Sequence, residues 1–318
     1  MVTLALGSST REAYGRALAR LGADHPEIVV LDADLAKSTQ TIIFGRQFPD
    51  RFFYVGIGEQ NMISMAAGLA ACGKTVFAST FAVFSPGRCF DQIRISIAQP
   101  HLNVKLVSSH QGITVGEDGK SAHALEDLAL MSSLFGVNII VPADEIEMEQ
   151  AIEVAATTPG PFYIRSGRPK VPIVYDEGYR FVLGKAAVMR EGTDATIVAN
   201  GYEVAQALQA WDELQTEGIA CRVLSMPTLR PLDTEAIGAA AGETGAIVTA
   251  EEHGEIGGLG TAVAHAAAQL CPVPMEIVAV RRYTESGKPE ELVARYGIGA
   301  PDIAAAVRRV VERKRRRA

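Results

Sequence analysis

Glu59 follows the turn Tyr54-Val55-Gly56-Ile57-Gly58 and opens an Ala-rich stretch, Gln60-Asn61-Met62-Ile63-Ser64-Met65-Ala66-Ala67-Gly68. A carboxylate in that place has two uses. It can simply complement the positive end of a helix, where acids are favoured in the first turn. It can also do acid–base work on a ligand held against the helix start. Residues further along add weight to the second use. Ser79-Thr80-Phe81-Ala82-Val83-Phe84 brings two aromatic rings to the end of an apolar run. Ser109-His110-Gln111-Gly112 follows another such run. Gly116-Glu117-Asp118-Gly119 and His123 lie in a glycine-rich loop, and Arg165 ends a further run. Titratable and aromatic residues therefore gather where several strands would end, which is where open α/β sheets bind ligands.

The elements that must position them read as an alternation of β-branched runs and Ala-rich helical patterns. Strands are predicted at 28–31, 52–55, 75–77, 104–108, 137–141 and 162–164, with helices over 11–22, 59–72, 86–98, 124–135 and 144–156. Asp144 is placed to cap the last of these helices. A turn-rich stretch at 166–184, with Pro169 and Pro172, reads as a linker between a domain over 1–180 and a second over 181–318. The second domain repeats the rhythm, with strands at 195–199, 219–224, 246–250 and 275–280 and helices at 202–217, 233–241, 258–270 and near 300–313. The fold class is α/β: two domains, each a mostly parallel or mixed sheet flanked by helices.

Composition narrows the function. The chain has 318 residues and is 48% hydrophobic, which excludes a disordered or collagen-like chain. Thirty basic residues against 37 acidic ones give 30 − 37 = −7, a poor match for a nucleic-acid binder. No apolar run is long enough for a membrane span, and Met1-Val2-Thr3-Leu4 does not begin a secretory leader. Cys72, Cys89, Cys221 and Cys271 show no C-x-x-C spacing and read as reduced thiols of a cytoplasmic protein. The P-loop, G-x-G-x-x-G, G-x-S-x-G, His-x-x-x-His and glycine-aspartate-glycine metal motifs are all absent. Gly254, Gly257, Gly258 and Gly260 form a strand-to-helix turn that serves either tight packing or an anion. The basic end, Arg313-Lys314-Arg315-Arg316-Arg317-Ala318, reads as a last helical turn that complements the helix dipole.

Four segments in this order and spacing resemble the C-terminal half of transketolase, in the form where the enzyme is divided between two polypeptides. They are Gly58-Glu59-Gln60-Asn61-Met62, Ser79 to Phe84, Gly116-Glu117-Asp118-Gly119, and Glu251-Glu252-His253-Gly254 with Gly257-Gly258-Leu259-Gly260. The resemblance covers essentially the whole chain. It implies a pyrimidine-binding domain followed by a transketolase C-terminal domain, and thiamine diphosphate with Mg²⁺ as cofactor. The metal would be bound by a separate N-terminal subunit carrying the pyrophosphate motif that is missing here. A heterotetramer of two large and two small subunits follows, with a second copy of this chain in it.

The resemblance also implies residue roles. Glu59 would hydrogen-bond the pyrimidine N1′ and favour the tautomer that can take the thiazolium C2 proton. Phe84 would stack on the aminopyrimidine, with Phe81 lining the same pocket. His110 would lie near the sugar hydroxyls and phosphate, and Asp118 would meet a donor hydroxyl. Arg165 would bind phosphate, since its fork pairs with phosphate oxygens, and Arg168 is a second candidate. One departure stands out. The family continues its loop with Thr or Ser and then histidine, whereas here Ala122 takes the matching place and His123 falls one later. His123 is expected either to reach the substrate through a shifted loop or to leave that contact unmade, with a changed donor. Rival readings are a deoxyxylulose-phosphate-synthase-like half, a 2-oxoacid dehydrogenase β chain, and a non-catalytic scaffold subunit.

Overall fold

A computed structural model describes residues 4–316. Its strands are β1 (Leu6–Ser9), β2 (Ile28–Asp32), β3 (Phe52–Tyr54), β4 (Thr75–Phe81), β5 (Val104–Ser109), β6 (Asn138–Ile140) and β7 (Phe162–Ser166). They continue as β8 (Lys170–Pro172), β9 (Ala187–Arg190), β10 (Ala195–Ala199), β11 (Cys221–Ser225), β12 (Thr228–Arg230), β13 (Ile247–Gly254) and β14 (Met275–Val280). A seven-stranded sheet has the order β12-β6-β7-β5-β4-β2-β3, and a five-stranded sheet has the order β14-β13-β10-β11-β9. Each is parallel except at one edge, where β12 and β9 pair antiparallel. The expected α/β class with two helix-flanked sheets is what the chain forms.

The central strands are buried on both faces, as unbroken apolar runs require in a parallel sheet. All five residues of β2, Ile-Val-Val-Leu-Asp, are buried, and so are all six of β5. Helices form where the sequence supplies caps. Ser9 and Glu12 make a reciprocal capping box at the start of helix Thr10–Asp24. Asp144 accepts from the Glu147 N–H at 2.9 Å, as its position predicts.

Several elements escape the sequence pattern: β1, β8, β9, β12, and the helices Ala36–Thr39, Ile42–Gln47 and Pro289–Tyr296. The strands among them lie at edges or in a two-stranded pair, so pairing with distant chain makes them strands. The expected helix over 124–135 contracts to Asp127–Ser132. The stretch 166–184 is not a free linker. Within it β8 pairs antiparallel with β1, and Asp144 Oδ2 takes the N–H groups of Val174 and Tyr175 at 2.8 and 3.0 Å. The basic end folds inward. Helix Ala300–Arg315 sends Arg313 to Glu276 and Lys314 to the carbonyls of Asp194 and Thr244. Arg317 and Ala318, the end of that basic run, lie outside the described residues. The thiols are free, with Cys89 and Cys221 buried and Cys72 exposed. Among the described residues no helix is long and apolar enough to cross a membrane.

Candidate active site

Three parallel strands deliver the site from their carboxyl ends. β3 ends at Tyr54, Gly56 turns the chain at φ +69°, and Glu59 begins helix Glu59–Ala71. β4 ends at Phe81 and pairs with β5 so that Phe81 lies opposite Ser109, one residue before His110. Phe84 lies just beyond β4, at the start of helix Ser85–Gln92.

The side chains make a continuous row. Glu59 is buried, and its Oε1 accepts from Arg88 Nη1 at 2.9 Å. The Arg88 guanidinium lies over the Phe84 ring, 4.1 Å from its centroid. Phe84 stacks near-parallel on Phe81 at 5.7 Å, and Phe81 stacks on the His110 imidazole at 3.8 Å. Glu59, Phe84, Phe81 and His110 thus come together, linked by an arginine that has no sequence signature. Arg88 has half its side chain in solvent, at 51% exposure.

His110 is held in the left-handed region at φ 61°, and its Nδ1 lies 2.8 Å from Ser109 Oγ. Burial pushes the imidazole pKa down to about 3, helped by the positive charges of Arg11 and Arg168. Arg168 donates to the Val115 carbonyl and lies 3.5 Å from Asp118 Oδ1. Asp118 ends the short turn Gly116–Asp118 and keeps 41% of its side chain exposed. Arg11 is the other basic residue here that composition and motif do not single out. It donates to the Ser38 carbonyl at 2.9 Å, and burial lowers its pKa, opposed by the charge of Glu12 and aided by that of Arg168.

A neutral His110 has a consequence in acid. Its ordinary pKa of 6.5 applies to the unfolded chain, which takes a proton that the folded chain refuses until about 3. Stability linked to this group is therefore complete above that ordinary value. It falls by about 1.4 kcal/mol per pH unit below it. His110→Asn is expected to flatten the stability loss between about pH 7 and pH 5. Urea unfolding of both chains measures this, and equal slopes would mean that His110 ionises as freely folded as unfolded.

Two of the residues expected to bind ligand are engaged within the protein. Arg165 is the first. It is 1% exposed and forms a bidentate pair with Asp127, Nε to Oδ2 and Nη2 to Oδ1, both at 2.7 Å. It also donates to the carbonyls of Glu252 and Ala124, each at 3.1 Å. A charge this deep must be fully paired, and Asp127 pairs it. Arg168, three residues on, is the partly exposed arginine of the segment. His123 also turns inward. Its Nδ1 lies 2.5 Å from Thr284 Oγ1 and its Nε2 lies 3.0 Å from the Gly116 carbonyl, so both ring nitrogens are engaged within the protein. Ala122 is buried beside it.

The glycine-rich turn resolves as packing rather than an anion site. Glu251 itself supplies the negative charge at the helix start, accepting from the N–H groups of Leu259 and Gly260 at 2.7 Å each. A Cβ on Gly258 would fall 2.0 Å from its Oε2, so only glycine fits. Among the described residues no three His, Cys, Asp or Glu side chains come together as a metal site.

Comparison with known proteins identifies both domains. Residues 7–173 match the transketolase pyrimidine-binding domain, and residues 184–303 match the transketolase C-terminal domain. The 6-deoxy-6-sulfo-D-fructose transketolase subunit of Clostridium sp. (strain MSTE9) is 40% identical over 305 residues, 96% of this chain and 95% of its own length. Human transketolase is 42% identical over 307 residues, 95% of this chain but only 49% of its own length. The chain thus spans nearly all of the subunit and about half of the one-chain enzyme. A solved structure described as a split-gene transketolase, inactive beta4 tetramer, superposes with a TM-score of 0.91 at 48% identity. That match covers 97% of this chain and 100% of the other. The chain belongs to the transketolase family, of which it carries the pyrimidine-binding and C-terminal domains.

Proposed function

We propose that this chain is the C-terminal subunit of a two-chain transketolase. It moves a two-carbon ketol unit from a ketose, or ketose phosphate, to an aldose. It works only beside an N-terminal subunit that holds the pyrophosphate and Mg²⁺ of thiamine diphosphate. The observation that carries this reading is the row Glu59–Arg88–Phe84–Phe81–His110 at three strand ends.

The row suits an aminopyrimidine. Phe84 and Phe81 offer flat faces for an aromatic ring, and Glu59 offers a carboxyl oxygen to a ring nitrogen. Arg88 is half exposed and can swing off Glu59 without disturbing the core. Thiamine diphosphate, when bound, supplies the nucleophile and the electron sink for the two-carbon unit. Glu59 then holds a proton between its carboxyl oxygen and the ring nitrogen, keeping the ring in its reactive tautomer. Phe84 and Phe81 fix the plane of that ring and keep water from it. His110, neutral and tied at Nδ1 by Ser109, presents Nε2 to a sugar oxygen without adding charge. Asp118 accepts from a donor hydroxyl. Arg168 and Arg11 form the cationic end for a phosphate or another terminal anion. The sulfosugar named for the Clostridium relative fits such an end, because sulfonate and phosphate present similar charged oxygens.

The free thiols suit a reducing cytoplasm. The beta4 tetramer described for the solved relative supports self-association of this chain. The active assembly we propose holds two copies of each subunit. Mixing tests the whole reading. Neither chain alone should turn over. The mixture with thiamine diphosphate and Mg²⁺ should transfer ketol units and elute as one complex. Turnover by this chain alone would overturn the split-enzyme reading. A mixture that consumes 2-oxoacids instead would favour the dehydrogenase reading, and a complex without turnover would favour the scaffold.

A further inference from the structure

The loop that carries His110 and Asp118 follows β5 of the first sheet, yet residues of the second domain hold it from two sides. On one side stands Glu252, buried in β13. Its Oε1 accepts from the Thr114 N–H at 2.5 Å. The loop lies so close that a Cβ on Gly112 would fall 2.2 Å from the Glu252 carboxyl carbon. On the other side runs the segment from Thr284 to Pro289. Thr284 Oγ1 lies 2.5 Å from His123 Nδ1, and His123 Nε2 reaches the Gly116 carbonyl at 3.0 Å. Ser286 Oγ donates to the Glu117 carbonyl at 2.6 Å.

Between these supports, His110 sits at φ 61° and Gly116 and Gly119 at φ 82° and 77°. A non-glycine residue held at positive φ needs surroundings that enforce it. The neighbours that bracket the loop are Glu252 and the Thr284–His123 bridge.

We propose that Glu252 and Thr284 are positioning residues, through which the C-terminal domain fixes the substrate loop 110–119 and so sets how tightly the donor sugar is held. The proposal rests on the reading of His110 and Asp118 as donor-binding residues. His123 then serves as a strut that passes support from Thr284 to Gly116. The domain that supplies none of the row of groups at the strand ends shapes the surface on which the donor lies.

The test uses the full chain with its N-terminal subunit and a ketose 5-phosphate donor, and also the full chain alone. Thr284→Val keeps volume and removes the hydroxyl. It should raise the donor KM roughly 2–10-fold, the loss of one hydrogen bond, with kcat at saturating donor nearly unchanged. Thr284→Ser should restore the native KM. Glu252→Gln keeps an oxygen for Thr114 and should stay near native, while Glu252→Ala should behave like Thr284→Val. In the chain alone, backbone amides of residues 112–119 should exchange with deuterium several-fold faster in Thr284→Val, while helix Glu203–Thr216 is unaffected. Unchanged loop exchange overturns the proposal. So does an unchanged KM in an active complex, or failure of Thr284→Ser to restore it. If the native complex transfers no ketol units, the proposed function falls, and loop exchange still decides whether the supports act on the loop.

Discussion

Glu59→Gln lowers turnover of the two-chain enzyme by roughly 10²–10⁴-fold, the range for loss of a positioned acid–base group. The substitution keeps shape and hydrogen bonding but removes the ability to hold and release a proton. Folding should be spared, because Glu59 pairs with a half-exposed arginine and no apolar core group depends on the charge. Thermal melting and co-elution with the partner should therefore match the native chain while kcat collapses. The pairing with Arg88 sharpens the expectation. Arg88 stacks on Phe84, so it shares the carboxylate and the aromatic face that the ligand ring needs. Turnover within threefold of native would remove Glu59 from the mechanism.

Removing Asp127 has a comparably large effect, on stability instead of chemistry. Asp127 is fully buried, bound bidentately by Arg165, and accepts from Tyr163 Oη at 2.7 Å. The Arg165 guanidinium holds its carboxyl below the ordinary carboxylate range despite burial. Asp127→Ala leaves a buried guanidinium without its counter-charge, which costs about 3–5 kcal/mol. Urea unfolding should show a loss of that size, and Arg165→Ala should match it. A double-mutant cycle should show strong coupling between the two positions. The outcome separates the two roles of Arg165. A phosphate ligand would leave stability intact on substitution and weaken only phosphorylated donors. Native stability in both single variants would return Arg165 to the ligand site.

These two residues mark how far local sequence reaches. Glu59, Phe81, Phe84 and His110 come together because each follows an apolar run that forms a parallel strand, buried in β4 and β5 and a partly exposed edge in β3. The carboxyl ends of such strands share one edge of the sheet. The α/β class followed from the same runs, as in β2 and β5, where every residue is buried. That burial also hides which arginine faces the ligand. All five residues of β7 are buried, so no alternation marks Arg165 as internal. Its partner Asp127 lies 38 residues away, at the start of helix Asp127–Ser132, so the pairing that buries Arg165 forms only in the tertiary structure.

His123 shows the same limit at longer range. Its ring is claimed by Thr284, 161 residues on, so a one-residue shift in a loop motif becomes a bridge between domains. Arg11 and Arg88 carry no motif, and they join the site because a helix start and a strand end meet there. Apolar periodicity and strand-end placement are local properties, so the order of residues was enough to set most strands and helices and the edge at which the chemistry gathers. Which charged side chains stay exposed at that edge, and which pair inside the fold, was settled by packing between distant segments. A buried charge must find a counter-charge or hydrogen bonds, and those partners come from remote parts of the chain.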